Sequence, residues 1–271
     1  MIHYPASPSG ARLNAAVCQF DIAVGDVDKN VSTGLAAAEN TCKSGAQLVV
    51  LPELWSCGYD GEKIAAHARK TPEIIGFLAG LAKAYGAVIA GSLPEEANGR
   101  VYNTMFVINT TGQVAGAYRK IHLFPLLNED KWFAPGRQSV VLDCHGIPAG
   151  CMICYDLRFA EMGVHLAAGG ARMIVVCAQW PAVRIDHWDA LLMARAIENQ
   201  IFVVAANRCG ADTDSGFNGH SRIIAPDGAI LADAGQIPAH VSAKLDFSII
   251  DNLRTRFWPV AQRVPDAYPP A

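Results

Sequence analysis

Residues 149–178 read AGCMICYDLRFAEMGVHLAAGGARMIVVCA, and this stretch decides the fold class. The apolar run Ala149–Ile153 fits a buried strand, and Phe159–Ala168 fits a helix that ends at Gly169-Gly170. The run Met173–Ala178 then fits a second buried strand. Buried strands that alternate with helices in this way indicate a layered α/β protein.

The alternation continues on both sides of this stretch. Further buried strands are predicted at Leu13–Phe20, Gln47–Leu51, Ala87–Ala90, Ile201–Ala206 and Lys244–Phe247, and further helices at Asn30–Lys43, Thr71–Tyr85 and Asp186–Asn199. Short turn-rich links predict three antiparallel pairs, namely Tyr102–Ile108 with Val114–Lys120, Val140–Asp143 with Ala149–Ile153, and Ser221–Ala225 with Ala229–Ala232. No stretch is typical of a linker, so residues 1–271 are predicted to form a single domain with a loose tail at 1–12 and a Pro-rich tail at 259–271.

The composition excludes several classes of protein. The chain has 271 residues, of which 51% are hydrophobic and 17% charged, the reverse of a disordered composition. The net charge of −3 and the scattered basic residues argue against a nucleic-acid partner. No apolar stretch approaches the length of a membrane span, and the N-terminus lacks the pattern of a signal peptide. We therefore expect a cytoplasmic protein with no membrane partner.

The eight cysteines lie mostly in apolar runs, which favours buried free thiols in a reducing compartment. Cys151 and Cys154 form a CxxC pair, but side chains three residues apart on a strand point to opposite faces. No second pair and no histidines at ligand spacing follow. The pair is therefore not expected to bind a metal or to act in redox chemistry.

Three chemically active side chains stand at the ends of predicted strands. Glu53 comes two residues after Gln47–Leu51, Lys120 ends its strand, and Cys154 follows Ala149–Ile153. Because the carboxyl ends of strands in α/β sheets gather at one edge, a carboxylate, an ammonium group and a thiol can meet there. Taken singly, each is as well explained by a loop charge, a strand-edge charge or a core cysteine.

The segments that carry these residues resemble, in order, the three signatures of the nitrilase superfamily of carbon–nitrogen hydrolases. The resemblance extends over most of the chain and rests on Glu39, Pro52-Glu53, Tyr102-Asn103-Thr104, Lys120–Phe124, Cys154–Phe159 and Arg195–Asn199. It implies a four-layer αββα sandwich that dimerises to an eight-layer assembly. The dimer interface is expected at Asp186–Asn199 and in the segment after Cys154.

The resemblance also implies a set of catalytic roles. Cys154 would be the nucleophile, Glu53 the general base and acid, and Lys120 the electrostatic stabiliser. Glu129 matches a second essential carboxylate of the family and would hold Lys120 in place. Lys120 and the backbone N–H of Tyr155, at a helix N-terminus, would bind the oxyanion. This chemistry consumes an amide and water and uses neither a metal nor an organic cofactor.

Within the superfamily, Cys154–Phe159 is most similar to omega-amidases, which hydrolyse short dicarboxylic monoamides such as 2-oxoglutaramate. Arg158 can clamp the distal carboxylate of such a substrate, or it can pair with Asp156 or Glu161. The other candidate contacts to substrate are Trp180, Tyr59 and Asn103, with Arg184 and His187 beside them. His122 and His187 are expected to orient loops or interfaces.

Other activities stay open on the sequence alone. The short segment between Lys120 and Glu129 leaves the mouth of the pocket open, which would suit a deaminated glutathione amidase. Hydrolases of N-carbamoyl compounds and nitriles more often carry a Trp after the cysteine. A catalytically inactive binding module on the same fold is the alternative outside enzymes, and the intact Glu53, Lys120 and Cys154 argue against it.

Overall fold

The computed structural model describes residues 10–267, which form two six-stranded sheets and a two-stranded hairpin. The strands of the first sheet are β1 (Arg12–Gln19), β2 (Leu48–Val50), β3 (Val88–Ala97), β4 (Arg100–Ile108), β5 (Val114–Arg119) and β14 (Ala239–Asp246). Those of the second sheet are β6 (Val141–Cys144), β7 (Ile147–Ile153), β8 (Met173–Ala178), β9 (Phe202–Asn207), β12 (Arg222–Ile224) and β13 (Ile230–Asp233). The hairpin consists of β10 (Cys209–Ala211) and β11 (Gly216–Asn218).

The two sheets share one topology. Their strand orders are β14-β1-β2-β3-β4-β5 and β6-β7-β8-β9-β12-β13. In each sheet three parallel strands are bordered by one antiparallel strand on one side and by an antiparallel pair on the other. Both parallel sets end at the same edge of the molecule. A hydrogen bond shows this: the backbone N–H of Glu53, just after β2, donates to the carbonyl of Ala178, at the end of β8, at 3.4 Å.

Helices cover the outer face of each sheet. The α-helices within residues 10–267 are α1 (Val27–Lys43), α2 (Ile64–Ala68), α3 (Thr71–Tyr85), α4 (Glu129–Trp132), α5 (Ala160–Ala168), α6 (Ile185–Asn199) and α7 (Ser248–Arg256). In β2, Leu48 and Val50 pack in the core between the sheets, whereas Val49 faces the core beneath α1 and α3. The order helices, sheet, sheet, helices is the expected four-layer αββα arrangement.

The three antiparallel pairs predicted from turn signals are present as β4–β5, β6–β7 and β12–β13. The predicted helix Phe159–Ala168 begins at Ala160, and a separate five-residue 3-10 helix, Cys154–Arg158, precedes it. The predicted helix is therefore present as α5, and the helix N-terminus expected at Tyr155 belongs to the separate 3-10 helix.

Both predicted tails need correction where the structure describes them. Arg12 already pairs with Asp246 between β1 and β14, while residues 1–9 lie outside the described residues. Pro259–Gln262 forms a 3-10 helix that packs against α5 and α6 and buries Val260, so this part of the Pro-rich segment is not loose. Residues 268–271 also lie outside the described residues.

All eight cysteines lie within the described residues, and each is a buried free thiol, as the sequence predicts. Cys151 packs in the central core, whereas Cys154 lines a cleft. None of the helices in residues 10–267 combines the length and the apolar character needed to cross a membrane.

Candidate active site

Glu53, Lys120 and Cys154 meet at the edge where the parallel strands end. Glu53 follows β2, Cys154 follows β7, and Lys120 follows β5, which runs in the same direction as β3. Lys120 Nζ lies 2.8 Å from Glu53 Oε1, and the same carboxylate interacts electrostatically with the Cys154 thiol. The Glu53 and Lys120 side chains are fully buried, and Cys154 is 8% exposed.

Hydrogen bonds from both sheets hold the Glu53 carboxylate. Besides Lys120, Oε1 accepts the Tyr59 hydroxyl at 2.6 Å and Asn103 Nδ2 at 2.8 Å. Oε2 accepts the backbone N–H of Gln179 at 2.9 Å, and Gln179 Nε2 donates to the Glu53 carbonyl, also at 2.9 Å. With donors at both oxygens and at its own carbonyl, the residue is fixed in one orientation.

Glu129 supplies the second carboxylate that touches Lys120. Its Oε1 lies 2.7 Å from Lys120 Nζ, and its Oε2 accepts the backbone N–H of Phe124 at 2.6 Å. The Tyr59 hydroxyl also lies within hydrogen-bond distance of Glu129 Oε1, so its one proton is shared between the two carboxylates. Its oxygen lies 3.3 Å from Lys120 Nζ. Lys120 is therefore held between two carboxylates and one phenol.

The two carboxylates keep Lys120 charged. Burial lowers the pKa of Lys120, but the adjacent Glu129 and Glu53 carboxylates outweigh it and hold the pKa above its ordinary value. The pKa of Glu129 is raised overall. Burial raises it most, Lys120 opposes this, and repulsion from Glu53 adds to the rise. The site thus contains a permanent cation between two acids.

The Cys154 thiol is protonated in the resting site. Burial raises the pKa of Cys154 well above its ordinary value, and the Glu53 carboxylate adds to this while Lys120 opposes it. Cys154 also has a φ of 45°, in the left-handed region that non-glycine residues rarely adopt. Such strain is common where a nucleophile is placed on a sharp turn between a strand and the next element.

Asp156 ties the turn after Cys154 to the end of β5. Its Oδ2 accepts the Tyr118 hydroxyl at 2.6 Å and the backbone N–H of Ile153 at 2.9 Å. Its Oδ1 lies 3.1 Å from the backbone nitrogen of His122 and 2.7 Å from His122 Nδ1. Both oxygens of this buried carboxylate are therefore occupied, and His122 lies against one of them.

A cleft of about 340 Å³ opens over the Cys154 side chain. It is lined by aromatic and aliphatic side chains with two arginines, and its walls are Tyr59, Phe124, Leu127, Cys154, Tyr155, Arg158, Gln179, Trp180, Pro181 and Arg184. Three of the residues predicted to contact substrate (Arg158, Trp180 and Tyr59) thus share the cleft with the cysteine. The arrangement suits a small molecule with an apolar body and an anionic end.

Asn103, in contrast, does not line the cleft. It is fully buried in β4, where Nδ2 donates to Glu53 and Oδ1 accepts the Ser92 hydroxyl. Its predicted contact with substrate is therefore corrected to a contact with Glu53. The reason is that β4 lies behind the carboxylate and not on the open side of the pocket.

Arg158 forms no ion pair with Asp156 or Glu161. Its guanidinium stacks 4.8 Å from the Trp180 ring, and Nη2 lies 3.2 Å from His187 Nδ1. Among residues 10–267, neither Arg158 nor Arg184 has a carboxylate partner. Two arginines without partner acids therefore face the same cleft as the thiol.

The sequence reasoning missed Gln179. This residue follows β8 as Glu53 follows β2, so its position at the carboxyl end of a predicted parallel strand was the available signal. A neutral side chain gave no further indication of a contact with Glu53. Only the packing of one sheet on the other reveals it.

The fold and this constellation define a hydrolase of carbon–nitrogen bonds. The family model described as carbon-nitrogen hydrolase matches residues 14–255, and the chain belongs to that family. A 2-oxoglutaramate amidase from Bacillus subtilis (strain 168) is 38% identical over 232 residues, which cover 84% of this chain and 88% of that protein.

Two further relatives extend the comparison. A chloroplastic omega-amidase from Arabidopsis thaliana is 31% identical over 283 residues, covering 97% of this chain and 75% of that protein. The crystal structure of a carbon-nitrogen hydrolase from Helicobacter pylori G27 covers 95% of this chain and 97% of its own with a TM-score of 0.89, at 24% identity. The expected family and fold class are both confirmed.

Proposed function

We propose that this protein is an omega-amidase-like enzyme that hydrolyses the terminal carboxamide of a small, carboxylate-bearing substrate to an acid and ammonia. The observation that carries the proposal is the Cys154 thiol, which lines a cleft and lies within the electrostatic influence of the Glu53–Lys120 ion pair. Sequence similarity to proteins named 2-oxoglutaramate amidase and omega-amidase supports the substrate class.

In the first half-reaction, the Cys154 sulfur attacks the amide carbonyl carbon while Glu53 accepts the thiol proton. Because the thiol pKa is raised, the proton has to leave during the attack and not before it. The C–N bond then breaks, and Glu53 passes this proton to the departing nitrogen, which leaves as ammonia. The acyl group remains on sulfur as a thioester.

In the second half-reaction, Glu53 is again a carboxylate and takes a proton from water as the water oxygen attacks the thioester carbonyl. The C–S bond breaks, the carboxylic acid is released, and the proton returns from Glu53 to the sulfur. Every proton transfer uses this one carboxylate, and no metal or organic cofactor takes part in the proposed steps.

Lys120 and the backbone N–H of Tyr155 are the proposed donors to the oxyanion. Lys120 is charged at neutral pH, and Glu129 with Tyr59 fixes its position. Tyr155 lies in the first turn of Cys154–Arg158, where backbone N–H groups have no partner within the helix. The sequence led us to expect that a helix dipole would stabilise the oxyanion. Because this helix has only five residues, that role falls to the hydrogen bond from the N–H itself.

Arg158, with Arg184 nearby, is the proposed site for the distal carboxylate. A guanidinium without an acidic partner binds a carboxylate through two parallel hydrogen bonds. Trp180, which carries the Arg158 guanidinium on its ring, would form the apolar wall beside the substrate chain. A short dicarboxylic monoamide such as 2-oxoglutaramate has both features that this cleft accommodates.

One observation favours a second candidate substrate. Leu126 and Val183, the chain neighbours of the cleft-lining Leu127 and Arg184, are exposed apolar side chains. A longer amide, such as deaminated glutathione, can extend over these side chains. Deaminated glutathione amidase activity is therefore the alternative that a substrate panel has to separate.

We further propose that the enzyme acts in the cytoplasm as a homodimer or higher homo-oligomer, with no nucleic-acid or membrane partner. Eight free thiols are typical of a reducing compartment, and the balanced charges offer no basic surface to a nucleic acid. Exposed apolar side chains on α6 and after α7, Ile197 and Phe257, support a subunit contact.

The proposal is tested by ammonia release from 2-oxoglutaramate, succinamate, deaminated glutathione, an N-carbamoyl amino acid, an aliphatic nitrile and butyramide. Cys154→Ala is expected to abolish release from every active substrate while the melting temperature stays close to wild type. Cys151→Ala, which removes a buried thiol three residues earlier, is the matched control and should stay active. Turnover that persists in Cys154→Ala would overturn the mechanism.

The same panel tests the carboxylate site. Arg158→Gln should raise KM for 2-oxoglutaramate roughly tenfold, because it removes a charge-assisted contact, while any rate with butyramide stays unchanged. Arg69→Gln, which alters an exposed arginine on the loop after α2, serves as the control. An equal effect of Arg158→Gln on charged and neutral amides would contradict a carboxylate role.

A further inference from the structure

Arg208 is a fully buried cation outside the constellation described above. Its Nε and Nη2 approach Asp21 Oδ1 at 3.4 and 3.1 Å, and its Nη1 donates to Asp212 Oδ2 at 2.9 Å. The guanidinium also stacks on the Phe217 ring at 4.2 Å. Such a group is costly to bury, and a neutral core side chain would fill the same space at lower cost.

The third partner of Arg208 leads to the active site. Nη1 donates to Gln179 Oε1 at 3.0 Å, and the opposite end of that amide, Nε2, donates to the Glu53 carbonyl. Because a guanidinium can only donate, Arg208 fixes the amide with its oxygen toward the arginine and its NH₂ toward Glu53. The backbone N–H of Gln179 then meets Glu53 Oε2.

The anchors of Arg208 come from both sheets. Asp21 follows β1 in the first sheet, whereas Arg208 follows β9 in the second, and Asp212 and Phe217 lie on the β10–β11 hairpin. The fit is close, since a Cβ on Gly210 would stand 2.4 Å from Asp21 Oδ1. Because two carboxylates and the Phe217 ring hold its guanidinium, Arg208 has little freedom to follow a displaced Gln179.

We propose that Arg208 is a positioning residue for the reaction: acting through Gln179, it fixes the orientation in which the Glu53 carboxylate meets the Cys154 thiol. The inference rests on the proposed function, in which Glu53 transfers the protons. A purely structural role, in which Arg208 only joins the hairpin to β1, is the competing explanation.

The test compares Arg208→Lys, Gln179→Ala and the double variant. A lysine keeps the charge but cannot reach Gln179 and both aspartates at once, so kcat should fall between about 10-fold and 100-fold with KM within about twofold. Gln179→Ala should lower kcat to a similar extent. Because both changes break one chain of contacts, the double variant should be no slower than Gln179→Ala alone.

A pH profile separates positioning from stability. Both changes release the segment at residue 179, whose backbone N–H donates to Glu53 Oε2, so we expect the acid limb of kcat/KM to move to higher pH in Arg208→Lys and in Gln179→Ala. Arg222→Lys is the matched control, because Arg222 is also buried and pairs with two aspartates, Asp189 and Asp233, at 2.7 Å. It should lower the melting temperature without moving the profile.

Three results would overturn the inference: an unchanged kcat and pH profile in Arg208→Lys, additive losses in the double variant, or the same shift in Arg222→Lys. If Arg208→Lys does not fold, Asp212→Asn, which weakens one anchor of the arginine, should still lower kcat and shift the acid limb. An active Glu53→Gln variant would instead refute the proposed function itself.

Discussion

More negative than positive charge surrounds the Cys154 thiol. Glu53 and Glu129 both raise the pKa of the thiol beyond the effect of burial, and Lys120 alone lowers it. A cysteine next to a cationic histidine becomes a thiolate at rest, but this one keeps its proton until a base removes it. The contact between Glu53 and the thiol is therefore a requirement of the proposed chemistry.

Replacing Glu53 with Gln should lower the pKa of Cys154 while it abolishes turnover. The substitution removes a negative charge and the acceptor of the thiol proton, and it leaves the attraction of Lys120 in place. The pH dependence of alkylation by iodoacetamide reports the thiolate. Its midpoint should lie at lower pH in Glu53→Gln than in wild type.

The Glu53→Gln/Cys154→Ala double variant supplies the blank for this measurement, because the other seven cysteines are buried. A midpoint that stays the same or moves to higher pH would show that Glu53 does not act on the thiol. Asn103→Ala, which removes one donor to Glu53 and keeps its charge, should leave the midpoint closer to wild type.

Among the elements, β3, β4 and β5 are joined by one carboxylate. Glu95 on β3 accepts two hydrogen bonds of 2.7 Å from Arg119 on β5, and Thr104 on β4 donates to it, also at 2.7 Å. Lys120 follows Arg119 directly, and Asn103 precedes Thr104. The contact thus holds the strands that position two partners of Glu53.

Glu95→Gln should destabilise the protein at neutral pH by about 1 kcal/mol, the usual size of a partly buried charge-assisted contact. Burial alone would raise the pKa of Glu95, but the bonds and charge of Arg119 and the bond from Thr104 hold it below its ordinary value. A carboxyl with a lowered folded pKa adds stability above its unfolded pKa, and this stability is lost as the pH falls through the folded pKa.

The difference in free energy of unfolding between wild type and Glu95→Gln should therefore be largest near neutrality and shrink as the pH falls below about 4.5. Urea denaturation at several pH values measures it. Glu96→Gln is the control, because the adjacent Glu96 is exposed and lies 3.8 Å from Arg69. A difference that grows at acid pH would contradict the assignment.

Regular patterns made most elements predictable, and their absence explains the elements that were missed. The continuous apolar run in Gln47–Leu51 marks β2 because each face of the strand meets a core. The strands β10 and β11 have three residues each and no alternation, so nothing in their sequence distinguishes them from a loop. The second half of β3 was missed because Pro94 and two glutamates interrupt the apolar run.

The active-site candidates followed from resemblance and not from pattern. Glu53, Lys120 and Cys154 stand far apart in the chain, and only the packing of two sheets brings them together. For their neighbours Gln179 and Arg208 the only signal was a position just after a predicted strand, and a glutamine or an arginine at a strand end is common on surfaces. Asn103 matched the resemblance, but its side of the carboxylate depends on which face β4 turns to the pocket.

At the scale of the whole molecule, the two sheets share one central core. β1 lies over β9, and β2 lies over β8 and β9. Glu53 belongs to the first sheet and Cys154 to the second, so the distance between base and nucleophile is set by this packing. Close-packed cores resist small displacements, so the packing of the two sheets keeps the base and the nucleophile at a fixed distance.

The outer helices leave apolar surface uncovered. Ile197 on α6 is 48% exposed and Phe257 just after α7 is 53% exposed. Arg254 on α7 donates to the carbonyls of Asn199 and Gln200 at 3.3 and 3.4 Å, so α7 lies against the end of α6. The two apolar side chains therefore belong to neighbouring elements of one face, where the proposed second copy would dock.

Ile197→Glu should convert the proposed dimer to a monomer, because a carboxylate buried in an apolar contact loses its hydration without gaining a partner. Size-exclusion chromatography with light scattering, run over a range of protein concentrations, gives the mass of each species. Ile237→Glu, which changes an exposed isoleucine between β13 and β14, is the control and should remain dimeric. An Ile197→Glu variant that keeps the dimer mass would place the subunit contact elsewhere. A monomeric wild type would contradict the proposed dimer.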